Sequence, residues 1–180
     1  MNVSETYDYL VTTRRQLWDV LREMPDELLS RPLAGEDGFP CIKDLVFHTA
    51  TVEDGWLNID IFQRDPVLEN FPTLLDADTG AACGFKLEAL LEYWKAVEKT
   101  THEALAELTD SALAGVVRPE DWRGLPFKVD GLLWHVMIHE MRHSAQIVVL
   151  LRQQGVAPPA LDLLFYLADR EIKRRGAEGL

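Results

Sequence analysis

The sequence predicts an all-α protein, a four-helix bundle with an additional short C-terminal helix, filling residues 1–180 as one domain. Three observations predict it. Apolar residues recur at steps of three and four through four long stretches, as amphipathic helices require. Prolines punctuate the connections between those stretches. No segment reads as the alternating core of a strand.

In the first helix Val3, Tyr7, Leu10, Val11, Arg14, Leu17, Trp18 and Leu21 share a stripe that ends before Pro25, and Asn2 with Glu5 forms a capping box at its start. A turn region, residues 30–40, leads to a second helix over 41–62 with Leu45, His48, Val52, Gly55, Trp56 and Ile59 on one face. The connection 63–84 carries two prolines and exceeds the roughly 2 to 8 residues usual in bundles, so it is expected to be a lid or a loop with a short helical turn.

The third helix, 85–108, buries Leu87, Leu90, Leu91, Trp94, Val97, Thr101, Leu105 and Leu108 and turns a Glu-rich face to water. After an irregular stretch, Asp130 is the expected N-cap of a fourth helix that runs to 154 and stops at Gly155, before Pro158 and Pro159. Its inward stripe is unusual: Leu132, His135, Val136, His139, His143, Gln146, Ile147 and Leu150 fall together at about 100° per residue. The tail, ALDLLFYLADREIKRR, supplies the fifth helix.

Composition narrows the function classes. Apolar residues make up 47% and charged residues 27% of the 180, which suits a folded core. A net charge of −12 disfavours nucleic acid and anionic membranes as partners. No apolar run approaches the ~20 residues of a membrane span, and the start MNVSETYDYL lacks the pattern of a signal peptide, so a cytoplasmic location is expected. The two cysteines, Cys41 and Cys83, are not expected to form a disulfide framework.

The chemistry lies in the histidines. His139 and His143 are four residues apart, so both imidazoles leave one helical face and can reach one cation. Packing several imidazoles into a core otherwise leaves donors and acceptors in need of partners. His135 and His143 are about 12 Å apart along the axis, so all three cannot bind one ion. A third ligand is expected from a facing helix, and His48 lies on the inward stripe of the second. The proposed metal set is therefore His48, His139 and His143. His135 becomes a supporting or core residue, Gln146 a support one turn from His143, and His102 a surface residue. Three imidazoles suit zinc, nickel, iron or copper, with zinc and nickel favoured, and leave a coordination position for water or substrate.

IKDLVFHTA early, HVMIHEMRHSAQIVVLLRQQG late and LDLLFYL near the end resemble the DinB/YfiT-like family of small helical metalloproteins, which is unrelated to the DNA polymerase sharing that name. The resemblance implies a four-helix bundle holding a metal through one histidine of the second helix and two of the fourth, matching His48, His139 and His143. It also implies a homodimer, and metal-dependent thiol S-transfer to small electrophiles with a cosubstrate such as bacillithiol. The alternative is a stress-associated metal-binding protein without turnover. Where the family often reads His-Arg-Gly-Gln, this chain has His143, Ser144, Ala145 and Gln146, so an anion contact by that arginine is missing.

HEMRH also satisfies H-E-x-x-H, in which a glutamate, here Glu140, is the general base of a zinc hydrolase or protease. The extended protease form fails at Gln146 and Val149. Glu140 lies about 100° around the helix from His139, which makes it a weak catalytic candidate or an interhelical polar residue.

Overall fold

The computed structural model describes residues 1–33, 39–75 and 81–177. Parts of two sequence expectations, residues 34–38 of the first turn region and 76–80 of the long connection, lie outside the described residues.

The first long helix, α1 (Val3–Arg22), starts with the expected capping box: Asn2 accepts from the Glu5 N–H, and the Glu5 carboxylate accepts from that of Asn2. A short α2 (Asp26–Leu29) follows Pro25. The second long helix, α3 (Ile42–Asp54), is extended by a π-helical segment, Gly55–Ile61, that ends at Gln63 with φ 51°. Widened turns of this kind are rare and cluster at functional sites. The third is α4 (Leu87–Ala106), followed by a short α5 (Asp110–Leu113). The fourth, α6 (Val129–Gln153), begins one residue before the expected cap: Lys128 holds the N-cap position with no side-chain bond, and Asp130 lies in the first turn. Gly155, at φ 77°, follows the end of α6, and α7 (Leu163–Ala177) completes the chain.

One element differs from the all-helical expectation. Val116–Val117 (β1) and Phe127–Lys128 (β2) form a two-stranded antiparallel ribbon before α6. Two residues per strand are too few for alternation to show. A 3-10 turn, Glu120–Trp122, and left-handed Arg123 and Gly124 close the ribbon.

Both α1 and α3 pack against α4 and α6, so the first two long helices occupy opposite corners of the bundle. Two apolar clusters fill it. Leu17, Trp18, Ile42, Leu45, Leu90, Trp94, Ile147 and Leu151 lie in one, and Tyr7, Leu10, Leu57, Leu133, Val136 and Met137 in the other.

Between them runs a charged layer drawn from all four helices. Arg14 Nε donates to Glu140 Oε1 at 2.8 Å, its terminal nitrogens reach Glu140 at 2.7 Å, Glu53 at 2.8 Å and Glu98 at 3.2 Å, and its guanidinium lies 4.6 Å from the Trp94 ring centre. Glu53 accepts further bonds from Tyr7, Trp94 and Thr101, and Glu98 one from Arg15. This pairing keeps four buried charges tolerable.

The long connection does not cover the histidines with its described residues. Val67, Leu74 and Ala82 join the core, Phe71 packs on Tyr93, and Asp54 accepts from the Val67 and Leu68 N–H groups. Its far end is fixed by a disulfide between Cys41 and Cys83, a correction to the sequence expectation. Pairing across 42 residues depends on the fold bringing the two Cα atoms to 6.1 Å, which spacing alone does not reveal. No helix among the described residues is long and apolar enough to cross a membrane.

Candidate metal centre

His48 projects from α3, and His139 and His143 from adjacent turns of α6, where the two helices pack. The Nε2 atoms of His48 and His139 are 3.1 Å apart, as are those of His139 and His143. A tetrahedral ion with metal–nitrogen bonds of about 2.05 Å sets its ligand nitrogens about 3.3 Å apart. Two of the three nitrogen pairs are near that spacing and all three nitrogens lie within 4.8 Å of one another, so the set could hold such an ion.

Local chemistry prepares these nitrogens. His143 Nδ1 lies 2.6 Å from Gln146 Oε1, an acceptor, so Nδ1 carries the proton and Nε2 presents its lone pair. Burial, reinforced by the neighbouring histidines and Arg142, holds His139 down at about 3; burial, then His143 and Arg142, holds His48 at about 4. His143 is lowered too, by burial and Arg142 against the opposing Gln146 bond. All three imidazoles are thus neutral and ligand-competent at neutral pH. Phe39 packs over the cluster, its ring centre 4.7 Å from that of His48 and 5.3 Å from that of His143.

The other sequence candidates separate. Gln146 supports His143 from behind. His135 is exposed, with its ring centre 5.9 Å from His139 and 5.5 Å from Trp56, beside the nitrogen cluster rather than in it. His102 is exposed and packs edge-on against Tyr7. Glu140 takes the interhelical polar place that was one of its two sequence readings: its carboxylate turns into the core and accepts two bonds from Arg14, because α6 rotates about 100° from His139 to the next residue and places it opposite α1. Burial pushes this carboxyl up, and Arg14 opposes the shift.

Sequence reasoning missed Arg142. Its guanidinium donates to His143 Nε2 at 3.0 Å, a bond that must be released for that nitrogen to bind an ion, so a cationic group stands beside the cluster although the arginine expected after His143 is absent. The signal was its position one residue before a ligand candidate, which on a helix offers no direction toward the same point.

Three imidazole nitrogens thus converge between two helices of the bundle, an arrangement that could hold a metal ion. The chain belongs to the DinB family, whose model matches residues 1–175. A DinB-like protein from Bacillus cereus is 21% identical, with 88% of this chain and 94% of that one covered and a TM-score of 0.61. A conserved protein from Enterococcus faecalis is 20% identical, with 84% and 96% covered and a TM-score of 0.66. YfiT from Bacillus subtilis, described as a probable metal-dependent hydrolase with an unusual four-helix bundle topology, is 17% identical, with 86% and 89% covered and a TM-score of 0.62. No curated protein matches the sequence.

Proposed function

We propose that the chain is a metal-dependent enzyme that transfers a small thiol to an electrophile, with His48, His139 and His143 as ligands and zinc or nickel as the ion. The observation that carries the metal assignment is the convergence of three neutral imidazole nitrogens, one with its tautomer set by Gln146. A divalent ion held there supplies thiolate at neutral pH, or lowers the pKa of bound water. Gln146 keeps the Nδ1 proton of His143, Phe39 shields the imidazoles from water, and Arg142 offers a guanidinium to an anionic cosubstrate such as bacillithiol. In the overall reaction a sulfur–carbon bond forms as the bond to the leaving group breaks, the leaving group takes the electron pair, and the thiol proton passes to water.

Glu140 favours thiol transfer over the H-E-x-x-H hydrolytic reading. A general base must reach the attacking water, and this carboxylate is committed to Arg14 inside the bundle. Hydrolysis remains the second reading, supported by the description of the YfiT neighbour. A stress-associated metal-binding role without turnover is the third outcome. Exposed Leu164, Phe165 and Ile172 on α7 offer an apolar surface consistent with a homodimer, testable by light scattering.

The decisive experiment quantifies metal in the purified protein and in a His139→Ala/His143→Ala variant, then follows thiol consumption against electrophiles with bacillithiol, glutathione and mycothiol. Stoichiometric metal lost in the variant, with metal-dependent turnover, supports the proposal. Unchanged metal in the variant overturns the ligand set. Metal without thiol turnover overturns the transferase reading.

A further inference from the structure

Cys41 and Cys83 meet at the start of α3, about two turns before His48. Cys41 is the N-cap of that helix and is fully buried, and Cys83 arrives on a single 3-10 turn, Ala81–Gly84. Asp44, one turn into α3 and 2% exposed, directs its carboxylate at both. Its Oδ2 lies 3.4 Å from Cys83 Sγ and 4.0 Å from Cys41 Sγ. The two sulfurs and the carboxylate oxygen all fall within 4.8 Å of one another.

A purely structural disulfide does not account for this grouping. Disulfide sulfurs carry no hydrogen, so neither contact with Asp44 is a hydrogen bond while the pair is closed. Once it is opened, two thiolates and a carboxylate share one small space. The cysteines are also brought together by more than their covalent bond. Lys43 Nζ donates to the Phe85 carbonyl at 2.7 Å, reaches that of Cys83 at 3.5 Å and pairs with Asp26 at 2.6 Å, while Ser30 Oγ donates to the Cys83 carbonyl at 3.1 Å. Ala82 is buried in the core beside them. Reduction therefore leaves both cysteines held where they are.

A tetrahedral zinc ion, with bonds of about 2.3 Å to sulfur and about 2.0 Å to oxygen, sets a sulfur and an oxygen about 3.5 Å apart and two sulfurs about 3.8 Å apart. The observed sulfur–oxygen distances of 3.4 and 4.0 Å straddle the first of these. The second is reached from Cα atoms 6.1 Å apart by rotation of the two side chains. Thiolate ligands select zinc over magnesium or calcium, which prefer oxygen. The amide groups of the first turn of α3 and the buried Lys43 ammonium offset the excess negative charge, and water completes the coordination.

We infer that Cys41, Asp44 and Cys83 form a second metal site that binds zinc when the disulfide is open and expels it when the disulfide closes. The site stands apart from the three-histidine centre and does not depend on metal being bound there. Opening takes two electrons and two protons, supplied by a thiol or phosphine reductant, and zinc then displaces the two thiol protons. In closing, the two thiolates pass two electrons to a peroxide, the sulfur–sulfur bond forms, the oxygen–oxygen bond breaks, and with two protons the peroxide leaves as two waters.

The test reduces the whole protein with a phosphine under argon, removes the reductant and titrates with Co²⁺, whose thiolate complexes absorb in the near ultraviolet through sulfur-to-metal charge transfer. Histidine ligands give no such band. The reduced protein is expected to show it, saturating at one ion per chain and yielding to zinc, and the oxidised protein to lack it. Bound zinc should be one ion per chain higher in the reduced protein, and hydrogen peroxide should release that ion. Cys83→Ser should abolish the band, and Asp44→Asn should weaken zinc at least about tenfold in a chelator competition, each with unchanged helical circular dichroism. The band should persist in His139→Ala/His143→Ala, so that failure of the histidine reading leaves this one intact. No band in the reduced wild-type protein, an equal band in Cys83→Ser, loss of the band with the two histidines, or a loss of helicity on reduction that zinc does not restore, overturns the inference.

Discussion

Replacing Arg14 with Met tests the charged layer most directly. Arg14 is 1% exposed and is the bonding partner of three carboxylates. Its removal does not strand them equally. Glu53 keeps bonds from Tyr7, Trp94 and Thr101, and Glu98 keeps Arg15, but Glu140 loses both of its bonds while only 3% exposed. Breaking a buried pair by removing one partner costs about 3–5 kcal/mol, a large share of the ~5–15 kcal/mol by which domains are stable. For a chain of this size that is a fall in Tm of about 6–20 °C.

The sign of the pH dependence follows from Glu140. Without Arg14 its folded-state pKa rises further above the ordinary 4.5. The cost is then absent below that value, where both states are protonated, and grows as pH rises through it. Urea denaturation followed by circular dichroism should show a wild-type-to-variant gap that is widest near pH 7 and closes toward pH 4.5. Arg14→Met/Glu140→Met should recover at least about 2 kcal/mol relative to the single variant. A loss below about 1 kcal/mol for Arg14→Met, or no recovery in the double variant, would refute the reasoning.

Other predictions concern the histidines and the cysteines. Gln146→Leu removes the acceptor that fixes the His143 tautomer and should lower metal affinity about 10- to 100-fold in a chelator competition, an account that unchanged affinity contradicts. In metal-free protein, His48 at about 4 and His139 at about 3 lie below the unfolded value of 6.5. Their contribution to stability is complete above 6.5 and is lost as pH falls toward 4, so urea midpoints should decline over that window, and a flat profile would count against buried neutral imidazoles. Cys83→Ser opens a disulfide spanning 42 residues and should cost about 4 kcal/mol by chain entropy. Iodoacetamide should label the unfolded chain only after reduction, and labelling without reduction would exclude the bond.

How much of this was legible in the sequence depended on whether one helix sufficed to define the feature. The Asn2/Glu5 capping box and the four long stripes are local and appear as expected. The convergence of His48 with His139 and His143 needed only the further assumption that the second and fourth helices face each other. Glu140 was not legible, because phase gives its angle from His139 but not that α1 would present Arg14 there. The same limit hid Arg142, whose long side chain returns to the imidazole beside it, and the Cys41–Cys83 pairing.

The position of Glu140 between two histidines of α6 has a consequence for how substitutions propagate. The Arg14 fork indexes the rotation of α6: with Glu140 clamped toward α1, His139 and His143 are aimed at His48. A helix free to turn about its axis would scatter these nitrogens before the bundle lost its secondary structure. Residue 14, which touches none of the imidazoles, therefore constrains the aim of the centre. Changes in the core and in the geometry of the three imidazoles are coupled through one guanidinium.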